Sequence, residues 1–191
     1  MPAFVLGIGG SGRPGSVTEK ALRVSLAAAA AEGAETLMLG APELLLPLYV
    51  PEARHRAPEA VRLVEEVRRS EGLIIASPGY HGSVSGLVKN ALDYLEDLRE
   101  EDPPYLDGRA VGCIAVASGW QAAVSTLGSL RSVVHALRGW PTPMGAAINA
   151  RAPVFDHQGR CVDPSARLQL ELVGRQVVQF ARMRSAQAVG R

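Results

Sequence analysis

A doubly wound α/β fold, with one parallel sheet and helices on both of its faces, is the architecture this sequence predicts. Three observations carry the prediction. Five short apolar runs alternate with five amphipathic stretches, the pattern of successive βαβ units. The runs are nearly continuous rather than strictly alternating, as in strands buried on both faces. The 191 residues show no internal repeat, low-complexity tract or interdomain linker, which fits a single domain, residues 1–191, with a sizeable core.

The elements follow in order. Residues 3–9 form the first apolar run, and the Ala-rich stretch 17–32 is a helix stopped by Gly33. Residues 36–39 are a second strand. A proline-rich connection, APELLLPLYVPEARHRAP, then leads to a helix over 58–70. Residues 73–76 make a third strand, ended by the breakers Pro78 and Gly79, and 87–98 a third helix. A fourth strand over 110–117 precedes a helix over 125–138, and 143–148 reads as the fifth strand. Turn residues at 156–159 suggest a small β-excursion before a closing helix over 167–184.

In such sheets ligands bind beyond the carboxyl ends of the strands, where the strand order reverses. Three loops leave those ends with unusual chemistry: 10–17, 77–85 and 118–122. They converge on one crevice if strands one, three and four are neighbours. That order, 2-1-3-4-5, is the flavodoxin-like three-layer arrangement.

Composition excludes several classes. Hydrophobic residues make up 47% and charged residues 20%, and 20 basic against 19 acidic residues give a net charge of +1. There is no electrostatic case for nucleic acid or an anionic membrane surface. No apolar stretch approaches the ~20 residues of a membrane helix, and the N-terminus lacks the basic lead of a signal peptide. A cytoplasmic location is expected. Cys113 and Cys161 have no metal spacing; free thiols are the simpler reading, a disulfide between them the alternative. No His/Cys/Asp cluster has metal-site spacing, so no metal is expected.

The first loop contains GIGGSG, a G-x-G-x-x-G match spanning Gly7, Gly9 and Gly12. Both features that would confirm a dinucleotide site are weak. Pro14 disfavours helical angles at Arg13, and Gly15 weakens helix formation further, so the helix starts after Ser16. The second strand ends Leu39-Gly40-Ala41-Pro42, with Glu43 only after a proline, where a ribose-binding acid is wanted at the strand end. A phosphate monoester suits the loop better. Ser11, Ser16 and Thr18 supply hydroxyls, Arg13 a charged fork, and the helix beginning near Val17 free N–H groups and a positive dipole end. Ser16-Val-Thr-Glu19 is also a capping box, and the two roles compete for the same N–H groups.

The second loop carries the most specific pattern. Ser11-x-Arg13-x-x-Ser16 before a helix, Pro78-x-Tyr80-His81-Gly82-Ser83, and Gly86-x-x-Lys89-Asn90-Ala91-x-Asp93 together resemble the NADPH-dependent FMN reductase family. That family is flavodoxin-like and includes azo-, quinone- and chromate-reducing members. The resemblance runs over nearly the whole chain, including a tail like Asp156-x-x-Gly159.

The resemblance implies that Ser11, Arg13, Ser16, Val17 and Thr18 hold the FMN phosphate. It implies that Pro78, Gly79, Tyr80, His81, Gly82 and Ser83 line the isoalloxazine ring. Ser118 and Gly119, leaving the fourth strand, would add donors at the ring border. Many members carry Glu at position 79 and Asn at position 81. Gly79 here removes a charge and is expected to make the loop more flexible. Lys89, Asn90 and Asp93 are read as helix support or subunit contact rather than flavin contact.

The implied reaction is hydride transfer from transient NADPH or NADH to flavin N5, then to an acceptor: free flavin, a quinone, an azo compound or a metal oxyanion. The cofactor carries that chemistry, so no side chain is assigned a catalytic role. His81 as a general acid is the weaker reading beside a loop contact. Members of the family are commonly dimers or tetramers, and the arm LLLPLYVPEARHR, with exposed Leu and Tyr49, is the expected contact segment. The rival is a flavodoxin-type electron carrier without its own NAD(P)H oxidation, against which the near-neutral charge argues. A nucleotide-binding regulatory protein using the first loop alone is a third reading.

Overall fold

The computed structural model describes residues 2–189. Its sheet runs β2 (Glu35–Leu39), β1 (Phe4–Gly9), β3 (Gly72–Tyr80), β5 (Ala110–Ala117), β6 (Trp140–Asn149), all parallel, with the two-residue β4 (Ser83–Val84) hairpinned onto the end of β3. Setting β4 aside, this is the expected order 2-1-3-4-5 of the flavodoxin-like arrangement.

Period-two alternation splits each apolar run between two cores. On one face Leu6 and Ile8 of β1, Leu73 and Ile75 of β3, and Val111 and Cys113 of β5 meet α2 (Pro58–Arg69), α3 (Gly86–Asp93) and α4 (Trp120–Ala136). On the other, Val5, Ile74 and Ile114 meet α1 (Val17–Ala31) and α5 (Pro164–Val189) through Leu22, Leu26, Leu170, Val173 and Val177. The continuous hydrophobicity read from sequence is thus two interleaved faces, each covered by helices.

Four boundaries differ from expectation. β3 does not stop at Pro78 and Gly79 but runs on to Tyr80, paired with β5 as far as Pro78↔Val116. Its pairing with β1 ends at Gly9↔Ala76, so at Pro78 the strand has outrun its other neighbour and a missing N–H costs nothing there. α4 begins at Trp120 rather than near residue 125, and the third loop shrinks to Ser118 and Gly119. β6 begins at Trp140, because Pro141 and Pro143 lie on an edge strand that shifts register between Val111 and Cys113 of β5. The third helix divides into α3 and a 3-10 turn, Tyr94–Leu98. The β-excursion is a single bridge, Phe155↔Cys161. Asp156 organises its turn by accepting from Gln158 and Arg160 N–H, both at 2.9 Å.

The proline-rich arm is fastened to the α3 side. Asn90 Oδ1 accepts from Tyr49 N–H at 2.8 Å, Asn90 Nδ2 donates to Pro47 O at 2.9 Å, and the Tyr94 hydroxyl donates to Pro47 O at 3.0 Å. Arg56 forms a two-pronged bond with Asp97 at 2.8 and 2.7 Å and lies 4.7 Å from the Tyr49 ring centre. Tyr49 is therefore half-buried against Tyr94 rather than exposed, while Leu45 and Leu48 face solvent. Lys89 pairs with Asp93 one turn along α3.

Candidate functional site: a cleft at the carboxyl end of the sheet

The three loops meet around a cleft of about 680 Å³, within the ~300–1,000 Å³ usual for ligand sites. One end of it is built by the first loop. An ideal Cβ on Gly9 would lie 2.1 Å from Ala76 O, so only glycine lets β1 leave the sheet there. Gly7 lies under α1, where a Cβ would be 2.6 Å from Leu26 Cδ1. Gly12, by contrast, has nothing within 4 Å of such a Cβ. In a dinucleotide turn the third glycine serves close helix–strand packing; here that contact belongs to Gly7. Glu43 Oε2 accepts from Gly40 N–H at 3.0 Å, closing the turn after β2 rather than reaching for a ribose. The sequence match is real, but its glycines do other work.

The competition between capping and anion binding at α1 resolves by division. Ser16 Oγ accepts from Glu19 N–H at 3.2 Å, taking one donor. Glu19 Oε2 reaches back one residue further than a capping box requires, to Gly15 N–H at 2.8 Å. The first helical bond is Lys20 N–H to Ser16 O, so the Val17 and Thr18 N–H groups have no intrahelical acceptor, and both residues line the cleft. Glu19 does not spoil the site for an anion. Burial pushes its carboxyl up, but the Arg23 and Gly15 hydrogen bonds and the Arg23 charge together hold it below the ordinary value. The lone carboxylate at this helix start is thus matched by Arg23 at 2.7 Å. Arg13 stays exposed, its N–H weakly held by Ser11 Oγ at 3.4 Å.

The long wall is the β3–β4 hairpin. His81 and Gly82 have φ of 53° and 84°, the two consecutive left-handed residues of a type I′ turn. Asn-Gly is the preferred pair for such a turn, and histidine is among the residues that tolerate the left-handed region. Pro78, Gly79, Tyr80 and Gly82 line the cleft; His81 and Ser83 are exposed on the turn and are not among its lining residues. Gly79 is not a flexible point. It is paired with Val84 and pressed against α4.

The far wall is Val116, Ala117, Ser118 and Gly119, continued by Gln121, Ala122 and Ser125 of α4 and by Ala150 after β6. Sequence reasoning placed the loop 118–122 at the crevice and named Ser118 and Gly119 as donors, but read Gln121 and Ala122 as loop and missed Ser125, having started the helix a turn and a half too late. The signal was Gly119 itself, which occupies the N-cap position. Trp120 is 60% exposed on the first turn. His55, His135 and His157 are exposed, and no metal-holding cluster of His, Cys, Asp or Glu occurs among the described residues.

The donor set fits a flavin mononucleotide. One end offers two free helix N–H groups, three hydroxyls and an arginine to a dianion. The other offers a slot walled by strand-end backbone. No carboxylate lines the cleft among the described residues.

Comparison with known proteins bears on the same reading. The sequence pattern of the NADPH-dependent FMN reductase family matches residues 4–153. The NAD(P)H-dependent FMN reductase of Pseudomonas aeruginosa is 30% identical over 188 residues, covering 91% of this chain and 90% of that protein. The NADPH azoreductase of Bacillus sp. strain OY1-2 is 34% identical over 88 residues, so the match spans 46% of this chain and about half, 46%, of that relative. The flavoenzyme NAD(P)H:acceptor oxidoreductase FerB of Paracoccus denitrificans has the same fold, with a TM-score of 0.77 at 21% identity over 95% of this chain and 98% of that one.

Proposed function

The chain belongs to the NADPH-dependent FMN reductase family, and we propose that it works as an FMN-bound reductase oxidising NAD(P)H, with the cofactor in the cleft at the carboxyl end of the sheet. The observation that carries this is the convergence of a free helix N-terminus, a rigid hairpin and the start of α4 on one cleft of mononucleotide size. When bound, FMN supplies the redox chemistry, accepting hydride from NADPH or NADH and reducing free flavin, a quinone, an azo compound or a metal oxyanion.

The residues of this chain hold and orient. Val17 and Thr18 N–H groups, with Ser11, Arg13 and Ser16, would hold the phosphate and so anchor the cofactor at this end of the cleft. Pro78, Gly79, Tyr80 and Gly82 give one edge of the ring a wall of backbone. Ser118 and Gly119 line the opposite wall and would offer hydrogen bonds to the ring when it is bound. His81 and Ser83 serve the wall as its turn. No side chain is needed to move a proton. A cleft left open on one side admits nicotinamide and acceptor in turn, giving ping-pong kinetics.

Arg56 and Arg109 are engaged elsewhere and so unavailable to the adenosine 2′-phosphate that distinguishes NADPH from NADH. Arg56 is bound to Asp97 and Val50 O, and Arg109 to Tyr105 O and Arg68 O. Arg54 remains exposed on the arm. The fastened arm with its solvent-facing Leu45 and Leu48 supports a dimer or tetramer as the working state. The two free cysteines favour the cytoplasm; no helix among the described residues is long and apolar enough to cross a membrane.

The test is direct. The purified protein should be yellow or take up FMN, and anaerobic mixing with NADPH and with NADH separately should bleach the flavin band with at least one. A colourless protein that neither binds FMN nor bleaches it rules the reading out. FMN uptake without bleaching makes the protein a carrier.

A further inference from the structure

α4 reaches across the end of β3 and holds the hairpin by its carbonyls. Ser125 Oγ donates to Gly82 O at 2.7 Å, and Thr126 Oγ1 donates to Ser83 O at 3.3 Å. Thr126 is completely buried, and an ideal Cβ on Gly79 would lie 2.6 Å from its Oγ1. Two adjacent residues of one helix thus grip the peptide groups of the turn, while the strand feeding it lies against the same helix. A two-stranded hairpin with a two-residue β4 is marginal by itself, and a left-handed residue other than glycine at its first turn position adds strain. The hairpin owes its fixed shape to this outside support.

We infer that Ser125 and Thr126 are positioning residues for the flavin ring: they set the tilt and height of the Gly79–Gly82 wall. This rests on the flavin reading of the cleft. Because a peptide group is planar, fixing Gly82 O and Ser83 O against α4 fixes the rotation of both peptide planes after Gly82. The same helix starts at Gly119 on the opposite wall, so the two walls cannot move independently. A loosened grip leaves the cleft present but its spacing variable, and a site held loosely loses affinity and orientation together.

Thr126→Val keeps the side-chain shape and removes the hydroxyl without touching the cleft. Ser125→Ala removes the other bond, and Thr126→Ser restores the first. Two readouts separate positioning from folding. In the apo protein, amide hydrogen exchange at residues 81–84 should speed several-fold in Thr126→Val and in Ser125→Ala, while exchange in the β1 and β5 core is unchanged. With FMN added, affinity should fall about 2- to 10-fold, the visible band and circular dichroism of the bound flavin should move toward those of free flavin, and Thr126→Ser should match wild type throughout. If Thr126→Val does not fold, Ser125→Ala carries the test through the apo hydrogen exchange at residues 81–84, because Ser125 itself lines the cleft and a change in its FMN affinity alone would not separate positioning from direct contact.

Wild-type exchange, affinity and flavin spectrum in both variants overturn this inference and leave the reductase reading intact. Faster exchange with an unchanged flavin spectrum and affinity also overturns it, reducing the two bonds to scaffolding. A wild-type protein that binds no FMN overturns both.

Discussion

Gly79 and Thr126 occupy one space: a side chain on the first would have to displace the hydroxyl of the second, 2.6 Å away, with Ala117 Cβ at 3.1 Å and Ala122 O at 3.3 Å closing the other exits. Thr126 of α4 thus fills the volume that a side chain at position 79 would need. Gly79→Ala should therefore destabilise, by about 1–3 kcal/mol for overpacking. That corresponds to a fall in Tm of roughly 2–4 °C per kcal/mol for a chain of this size. Adding Thr126→Ala to it should recover much of the loss, because the two changes share one contact. Thermal denaturation of the two single variants and the double variant checks this; additive losses would mean the residues do not compete.

Arg13 is the only cationic side chain lining the cleft among the described residues. Hydrogen bonds to a charged group are worth roughly 1.5–3 kcal/mol, so Arg13→Ala should weaken FMN binding by about 10- to 100-fold. Riboflavin shares the ring and lacks the phosphate, and its affinity should be the same for both proteins. Fluorescence titration with the two flavins reads the difference. An equal loss for both would place Arg13 against the ring instead, and no loss would remove it from the site.

The strand order and the gathering of Ser11, Arg13, Ser16, Val17 and Thr18 at one end of the cleft were legible because both are written locally. Buried strands need runs of Val, Leu, Ile and Ala, and a helix start that holds an anion needs Ser, Thr and Arg within a few residues. The hairpin wall was half legible. Its residues were identified, but Pro78 and Gly79 were read as breakers since nothing in sequence says that β1 stops two residues short of them. The helical form of the far wall was missed for a related reason. Trp120, Gln121, Ala122 and Val124 carry no start signal stronger than a glycine, and what makes them helical is packing of Ala123, Thr126 and Leu130. Tyr49 illustrates the reverse error. In sequence it sits among prolines and arginines like a surface residue; in the fold Arg56 and Tyr94 enclose it.

The arm should come loose in one step. Arg56 and Asp97 are 18% and 25% exposed and doubly hydrogen-bonded, so their pair is worth more than a surface bridge yet still partly screened. Asp97→Asn should cost about 1 kcal/mol in stability. Its sharper signature is proteolytic: trypsin cleavage after the exposed Arg54 should speed several-fold, with the rest of the chain equally resistant. Equal cleavage rates would show that Asn90 and Tyr94 hold the arm without the ion pair.

Burial pushes the Cys113 thiol up to about 12 despite the Arg131 charge, which opposes the shift. An unfolded thiol ionises near 8.5. Between those values the unfolded chain has released a proton that the folded chain retains, so stability falls as pH rises, by up to about 1.4 kcal/mol per unit. Below the unfolded value Cys113 contributes no slope. Burial also raises the Cys161 thiol and the Tyr49 hydroxyl, in Tyr49 with a further push from Asp97, and both add slope of the same sign. Urea unfolding at several pH values from 8 to 11 should therefore show a decline that is shallower in Cys113→Ala, whatever that variant's absolute stability. Alkylation gives a second reading: at pH 8 iodoacetamide should leave Cys113 unmodified in the native protein and label it once urea unfolds the chain. Rapid labelling in the native state would mean that the thiol reaches solvent through β5, and the high-pH slope should then vanish with it.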